Sequence, residues 1–292
     1  MTQKLQPPPE MSAPPPISPP PVASGASNGV PKVEAPPIGK RSTKPRPPRL
    51  VLNAVEGWGK TTVGAFAPKP CIIMAAGETG YDTLVQYNQV PSVDAVMVET
   101  WPELFATLDA LKEQDHTTIV LDALGGFESL CHGYVCDRDY KSDWGPHGFM
   151  SYAKGPNTAA RDWGMMLAKL DDLHAMGKCI LVLAHSLVKP FKNPLGEDYD
   201  RYIVDADKYI SGLTAKWTDA ILFGQFRTIV DSKGDRNKGI GGKERIIYTT
   251  NADAYIAKNR LGLPEEIVMP NDPTQSWQTI RNAIGKGNQN NG

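Results

Sequence analysis

The chain has 292 residues, with 31 basic and 32 acidic side chains and a formal net charge of −1, a balance that excludes holding nucleic acid by bulk positive charge. Its four cysteines are too few and too irregularly placed for a disulfide framework. No apolar run of about 18 residues and no signal-peptide core is present, so a soluble, cytoplasmic protein without membrane contact is expected.

Residues 1–48 hold 15 of the 26 prolines and few large apolar side chains. Such a segment buries too little surface to offset its ordering entropy, which predicts a disordered, polyproline-like tail. Lys40, Arg41, Lys44, Arg46 and Arg49 crowd its end and form a first candidate patch for DNA. A domain is expected over 49–284 and a second short tail over 285–292.

The domain begins with an apolar strand over 49–54 that runs into Ala54-Val55-Glu56-Gly57-Trp58-Gly59-Lys60-Thr61-Thr62. This is a phosphate-binding loop of the form A-x-x-x-x-G-K-T, with Ala54 where the common pattern has glycine. Successive backbone N–H groups in such a loop form an anion nest, and the helix behind it adds its positive end. Lys60 is placed to reach the β- and γ-phosphates and the Thr61 hydroxyl to ligate Mg²⁺.

A short helix is predicted over 61–67, ended by Pro68 and Pro70, then a buried strand over 71–76 leading to Gly77-Glu78-Thr79-Gly80. Next come a strand over 94–98, an amphipathic helix over 101–114 and a strand over 117–122 ending in Asp122. Residues 125–157 read as irregular. Their Tyr134, Tyr140, Trp144, Phe149 and Tyr152, interleaved with Lys141 and Lys154, are candidates to stack on bases. The spacing of Cys131, His132, Cys136 and His147 is not a zinc pattern.

A helix over 158–176 precedes a buried strand over 179–185 ending in His185. A polar loop is predicted over 186–202, a helix over 205–216 and a strand over 220–223. A hairpin of 226–230 and 244–250 then encloses a basic loop. Lys233, Arg236, Lys238, Lys243 and Arg245 in or beside that loop form a second candidate DNA patch. Strands alternating with helices predict an α/β fold with a mostly parallel sheet, helices on both faces and a C-terminal β-hairpin.

In such a sheet, ligands sit at the carboxyl ends of the strands, where Glu78, Asp122 and His185 all fall. Asp122, closing an apolar strand, suits a Walker B acid that holds Mg²⁺. Glu78 suits the carboxylate that orients or deprotonates the attacking water, with Asp82 as its competitor. His185 suits a polar side chain that senses the γ-phosphate. Lys258 and Arg260 alternate on an extended segment and so point to one side, as cations that could reach a neighbouring subunit's phosphate.

Five motifs together carry a resemblance: A-V-E-G-W-G-K-T-T at 54–62, A-A-G-E-T-G at 75–80, I-V-L-D-A-L at 119–124, L-V-L-A-H-S at 181–186 and A-K-N-R-L-G-L-P at 257–264. In that combination, over about residues 49–270, the chain resembles the RecA-core ATPases of phages. That group includes the Sak-type single-strand annealing and recombination proteins. The resemblance implies a RecA-like P-loop core that hydrolyses ATP with Mg²⁺, stimulated by single-stranded DNA, in recombination or replication. It also implies a homo-oligomer, ring or filament, in a host bacterial cytoplasm.

By the same resemblance, residues 54–62 bind nucleotide, Thr61 and Asp122 hold Mg²⁺, and Glu78 is the catalytic carboxylate. His185 takes the sensor position, and Lys258 and Arg260 match the trans-acting cations. The segments after Asp122 and after His185 take the places of the DNA-binding loops. Ala123 departs from the serine of many relatives, and the loop after His185 mixes Lys189, Lys192 and Arg201 with Glu197, Asp198 and Asp200. The proline-rich tail reads as a tether for a replication or recombination partner or as a spacer. A helicase loader or another ATP-driven motor, and a non-catalytic nucleotide-dependent interaction protein, are the alternatives.

Overall fold

The computed structural model describes residue 39, residues 46–231 and residues 238–289, without the side chains of 228–241 and 286–289. The expected tail and the basic residues Lys40, Arg41, Lys44, Lys233 and Arg236 lie outside the described residues.

The elements follow in chain order. They are β1 (Arg49–Ala54), α1 (Lys60–Ala65), β2 (Pro70–Ala75), α2 (Gly80–Gln86), β3 (Asp94–Val98), α3 (Trp101–Ala110) and β4 (Thr118–Asp122). Then come α4 (Leu124–Tyr140), α5 (Lys154–Ala175), β5 (Cys179–Phe191), β6 (Tyr199–Val204), α6 (Lys208–Trp217) and β7 (Ala220–Asp231). The last are β8 (Lys238–Tyr248), β9 (Lys258–Asn259), β10 (Glu266–Val268) and α7 (Ser276–Gln289).

The sheet runs β10-β8-β7-β1-β5-β4-β2-β3. From β7 to β3 every neighbouring pair is parallel, and β8 and β10 continue it antiparallel. This is the expected α/β architecture, a mostly parallel sheet with helices on both faces and a C-terminal hairpin. β2 and β4 are buried along their whole length, as strands of a parallel sheet covered on both faces should be. Side chains alternate between two layers. Val51, Ile73, Leu121 and Val182 face α3, α4, α5 and α6, whereas Leu50, Leu52, Ile72 and Leu183 face α1, α2 and α7.

Strand order decides which side chains meet. β5 lies between β1 and β4, so His185 pairs in register with Ala54, beside the phosphate loop. α3 starts at a full capping box: the Thr100 hydroxyl accepts from the Glu103 N–H and Glu103 accepts from the Thr100 N–H.

Several expectations need correction. Residues 124–140 form α4 rather than an irregular stretch, and Leu124, Phe127, Cys131 and Val135 make its buried stripe. Gly125, Gly126 and Gly133 hide the helix at the sequence level, since glycine is a poor helix former. Packing uses one of them: a Cβ added at Gly126 would lie 2.6 Å from the Ala75 Cβ. The predicted loop 186–202 is largely strand, because β5 runs on to Phe191 and folds back as β6 from Ser186↔Val204 to Phe191↔Tyr199. β7 is continuous from Ala220 to Asp231 instead of two pieces. α2 and α7 were not anticipated. α7 carries the chain as helix to Gln289, past the expected domain end at 284, with Trp277, Ile280 and Ala283 buried in the α1 layer. Among the described residues no helix is long and apolar enough to cross a membrane.

α1 is seated on the sheet through Gly64, where an added Cβ would meet Val120 Cγ1 at 2.9 Å. Gly64→Val should overpack this contact and cost about 1–3 kcal/mol of stability, measured by urea unfolding. An unchanged midpoint would show that the helix shifts freely.

Candidate functional site: a phosphate loop at the carboxyl edge

The loop begins where β1 ends. The Val55 N–H donates to the Gly224 carbonyl at 3.1 Å and so fixes the loop to β7. Gly57 (φ 70°) and Gly59 (φ 99°) both adopt left-handed backbone, which glycine adopts without steric cost. Gly59 is the cap from which α1 starts. Trp58 is fully buried, and its Nε1 donates to the Gln225 carbonyl at 3.1 Å. Ala54 is buried at the strand end and Glu56 points to solvent.

Lys60 is only 8 % exposed, and its Nζ donates to the Ala54 carbonyl at 3.1 Å. Burial lowers the Lys60 pKa, opposed by the charges of Asp122, Glu56 and Glu78. Thr61 Oγ1 donates to Asp122 Oδ2 at 2.8 Å. Burial raises the Asp122 pKa, while the Thr61 hydrogen bond pulls it down.

Lys60, Thr61, Thr62, Glu78, Asp122 and His185 line one open cleft of about 470 Å³ with Gly57 and Gly59. Thus the P-loop, Glu78, Asp122 and His185, carried at the ends of β1, β2, β4 and β5, come together as the sequence predicted. Thr83 and Leu84, on the helix α2 that the local pattern does not signal, and Gln89 just past it complete the cleft; Asp82 does not line it. Gly126 lets α4 close on the end of β2 that leads to Glu78, since a Cβ there would lie 2.6 Å from the Ala75 Cβ. The donor set suits a nucleoside triphosphate with Mg²⁺. The loop offers N–H groups and an ammonium to phosphate, and Thr61 and Asp122 offer hard oxygens to the cation.

Lys258 and Arg260 do not join the cleft. β9 pairs with Ala220 and Ile221, whereas Ala54 pairs with Gly224, so both cations lie toward the amino-terminal edge of the sheet. The Lys258 ammonium donates to the carbonyls of Ala215 (2.6 Å) and Thr218 (2.5 Å), which caps the end of α6. Nor does the extended run persist through them: Asn259 Oδ1 accepts from the N–H groups of Leu261 and Leu263 and bends the chain. Arg260 is exposed.

The two basic patches also read differently. Arg49 is engaged by Asp171 and Asp219 and packs on Trp217. Arg245 turns to the phosphate loop, with Nη1 3.4 Å from the Trp58 carbonyl. Arg46 and Lys243 remain exposed. Of the five aromatics, Phe149 is buried against His132, Tyr140 and Trp144, and Tyr134 packs under Arg138. Tyr152 is 95 % exposed.

Behind the site, Glu128 of α4 accepts the Asp207 N–H at 2.9 Å. Burial pushes the Glu128 carboxyl up to about 7, opposed by that hydrogen bond and reinforced by the charges of Asp207 and Asp205. Between its ordinary value of 4.5 and about 7 the folded chain holds a proton that the unfolded chain has lost. Stability therefore falls as pH rises through that window. Melting temperatures from pH 5 to 8 should decline more steeply for the parent than for Glu128→Gln, and equal slopes would remove Glu128 as the cause.

A profile of the AAA domain family matches residues 46–261. No curated protein matches the chain. Among solved structures, the flagellar accessory protein FlaH from Methanocaldococcus jannaschii is similar over 77% of this chain and 85% of its own, at 10% identity and a TM-score of 0.40. A KaiC-like protein from Pyrococcus horikoshii is similar over 79% of this chain and 88% of its own, at 11% identity and a TM-score of 0.39. These two distant likenesses carry no functional statement. The family match spans the sheet from just before β1 to just past β9, and by it the chain belongs to the AAA domain family.

Proposed function

We propose that the chain is an ATPase that acts on single-stranded DNA in phage-type recombination or replication. The observation that carries the ATPase reading is the gathering of Lys60, Thr61, Glu78, Asp122 and His185 in one cleft from separate strands. The loop N–H groups and Lys60 bind the phosphates, and Thr61 with Asp122 holds Mg²⁺. When bound, that cation neutralises charge on the phosphate oxygens. Glu78 orients and deprotonates the attacking water. His185 opens the β5–β6 hairpin, so a side chain beside the γ-phosphate is also the first link to an exposed arm of the protein.

The oligomer reading is supported by Arg260, which is exposed away from its own cleft and so could serve only a neighbour's. Lys258 has no share in that role. The DNA reading rests on the resemblance. It is supported by Tyr152, Trp144 and Leu195 standing exposed on the segments that follow Asp122 and His185. The proline-rich tail is proposed to tether a replication or recombination partner.

Lys60→Ala should abolish ATP binding, whereas Glu78→Gln should keep binding and slow hydrolysis about a hundredfold or more. Parental turnover in Glu78→Gln would remove Glu78 from the chemistry. ATPase rates with and without oligo-dT, beside a salt series of oligo-dT binding, test the DNA link. Stimulated hydrolysis and a steep negative salt slope are expected. Hydrolysis indifferent to DNA, with no oligo-dT binding, would favour a different ATP-driven partner.

A further inference from the structure

Trp58 occupies a loop position for which the phosphate-binding pattern asks no particular residue. Its indole is nevertheless fully buried, and a Cβ added at Gly224 would come within 2.8 Å of Trp58 Cε2. The guanidinium of Arg245, on β8, lies over the same ring, 5.6 Å from its centroid. Arg245 spans two carbonyls, with Nη1 3.4 Å from Trp58 O and Nη2 2.6 Å from Pro270 O. A Cβ at Gly59 would stand 3.1 Å from Nη1.

Arg245 differs in this from the arginines that the sheet pairs with carboxylates. Arg227 is paired with Glu244 and Glu266, and Arg49 with Asp171 and Asp219. Among the described residues no carboxylate pairs with Arg245. Burial lowers its pKa and nothing anionic opposes that. A half-buried guanidinium without a counter-charge is costly unless its surroundings use it. What it touches here is Trp58, two residues before Lys60, and the Pro270 carbonyl.

We propose that Arg245 is a positioning residue for the phosphate loop. Its two-carbonyl bridge over Trp58 holds Gly59 in the left-handed conformation that aims the loop N–H groups at phosphate, and its unpaired charge favours an anion in that loop. The role acts on every nucleotide that carries a β-phosphate, so ATP and ADP depend on it alike. It rests on the ATP reading of the cleft and adds to it a determinant outside the loop motif, supplied by β8.

The test is a titration of the full-length protein with fluorescent ATP and ADP analogues, with melting temperatures and steady-state kinetics measured on the same samples. Arg245→Ala should weaken both nucleotides about tenfold, as loss of charged hydrogen bonds implies. KM should rise more than kcat falls. Arg245→Lys keeps the cation but loses the planar fork that lies over Trp58 while its two ends reach the two carbonyls, so its affinity should fall between the two. Parental affinity in a folded Arg245→Ala, or parental affinity in Arg245→Lys, would overturn the proposal. Lys60→Ala separates the two levels: if it too binds like the parent, the nucleotide reading itself fails, whereas if only Lys60→Ala loses binding, the bridge alone is wrong.

Discussion

Thr61 Oγ1 donates to the Asp122 carboxylate across 2.8 Å, and this contact ties the first turn of α1 to a strand two places away in the sheet. The carboxylate is nearly buried, and a buried carboxylate is costly unless it is hydrogen-bonded. α1 can therefore leave its place only by stripping Asp122 of its partner. Lys60, next in sequence, is held by the same seat, with its ammonium turned back on the strand end at Ala54. Groups placed this way are already near the geometry that a phosphate and a divalent cation require, so little ordering remains when a ligand arrives.

The two edges of the parallel sheet use polar groups for different ends. At the carboxyl edge Lys60, Glu78, Asp122 and His185 face an open cleft. Toward the amino edge, cations satisfy carbonyls and carboxylates of the protein itself. Lys178 donates to the carbonyls of Gln114 and His116, Lys258 closes the end of α6, and Arg49 joins β1 to Asp219 and Asp171. Helix ends leave carbonyls without intrahelical partners, and a long ammonium chain reaches several at once. A sequence reader sees the same residue types at both edges.

That ambiguity marks how far the site was legible. The loop residues, Asp122, Glu78 and His185 could be placed because each follows a buried apolar strand, and parallel strands collect their ends on one edge. Lys258 and Arg245 could not, because each is decided by a partner distant in sequence: Lys258 by α6, Arg245 by the loop at Trp58. The fold was legible wherever local pattern and packing agree, as in β2, β4 and the first half of β5. It was obscured in α4, where three glycines weaken the helical signal and one is needed for close approach to Ala75. The β5–β6 hairpin was obscured too, because its polar, exposed residues look like loop until cross-strand pairing gives their backbone groups partners.

The sequence by itself determined that this chain is an α/β protein with a phosphate loop and two strand-end carboxylates on one sheet edge. Those features are local, written in buried strands and in glycines that accept left-handed backbone. Only the tertiary structure decided how the loop is gripped, which cations face the cleft, and that the segment after His185 is a paired arm. The reason is that hydrogen bonds and close approaches between distant segments depend on strand order and register, which no local pattern of residues encodes.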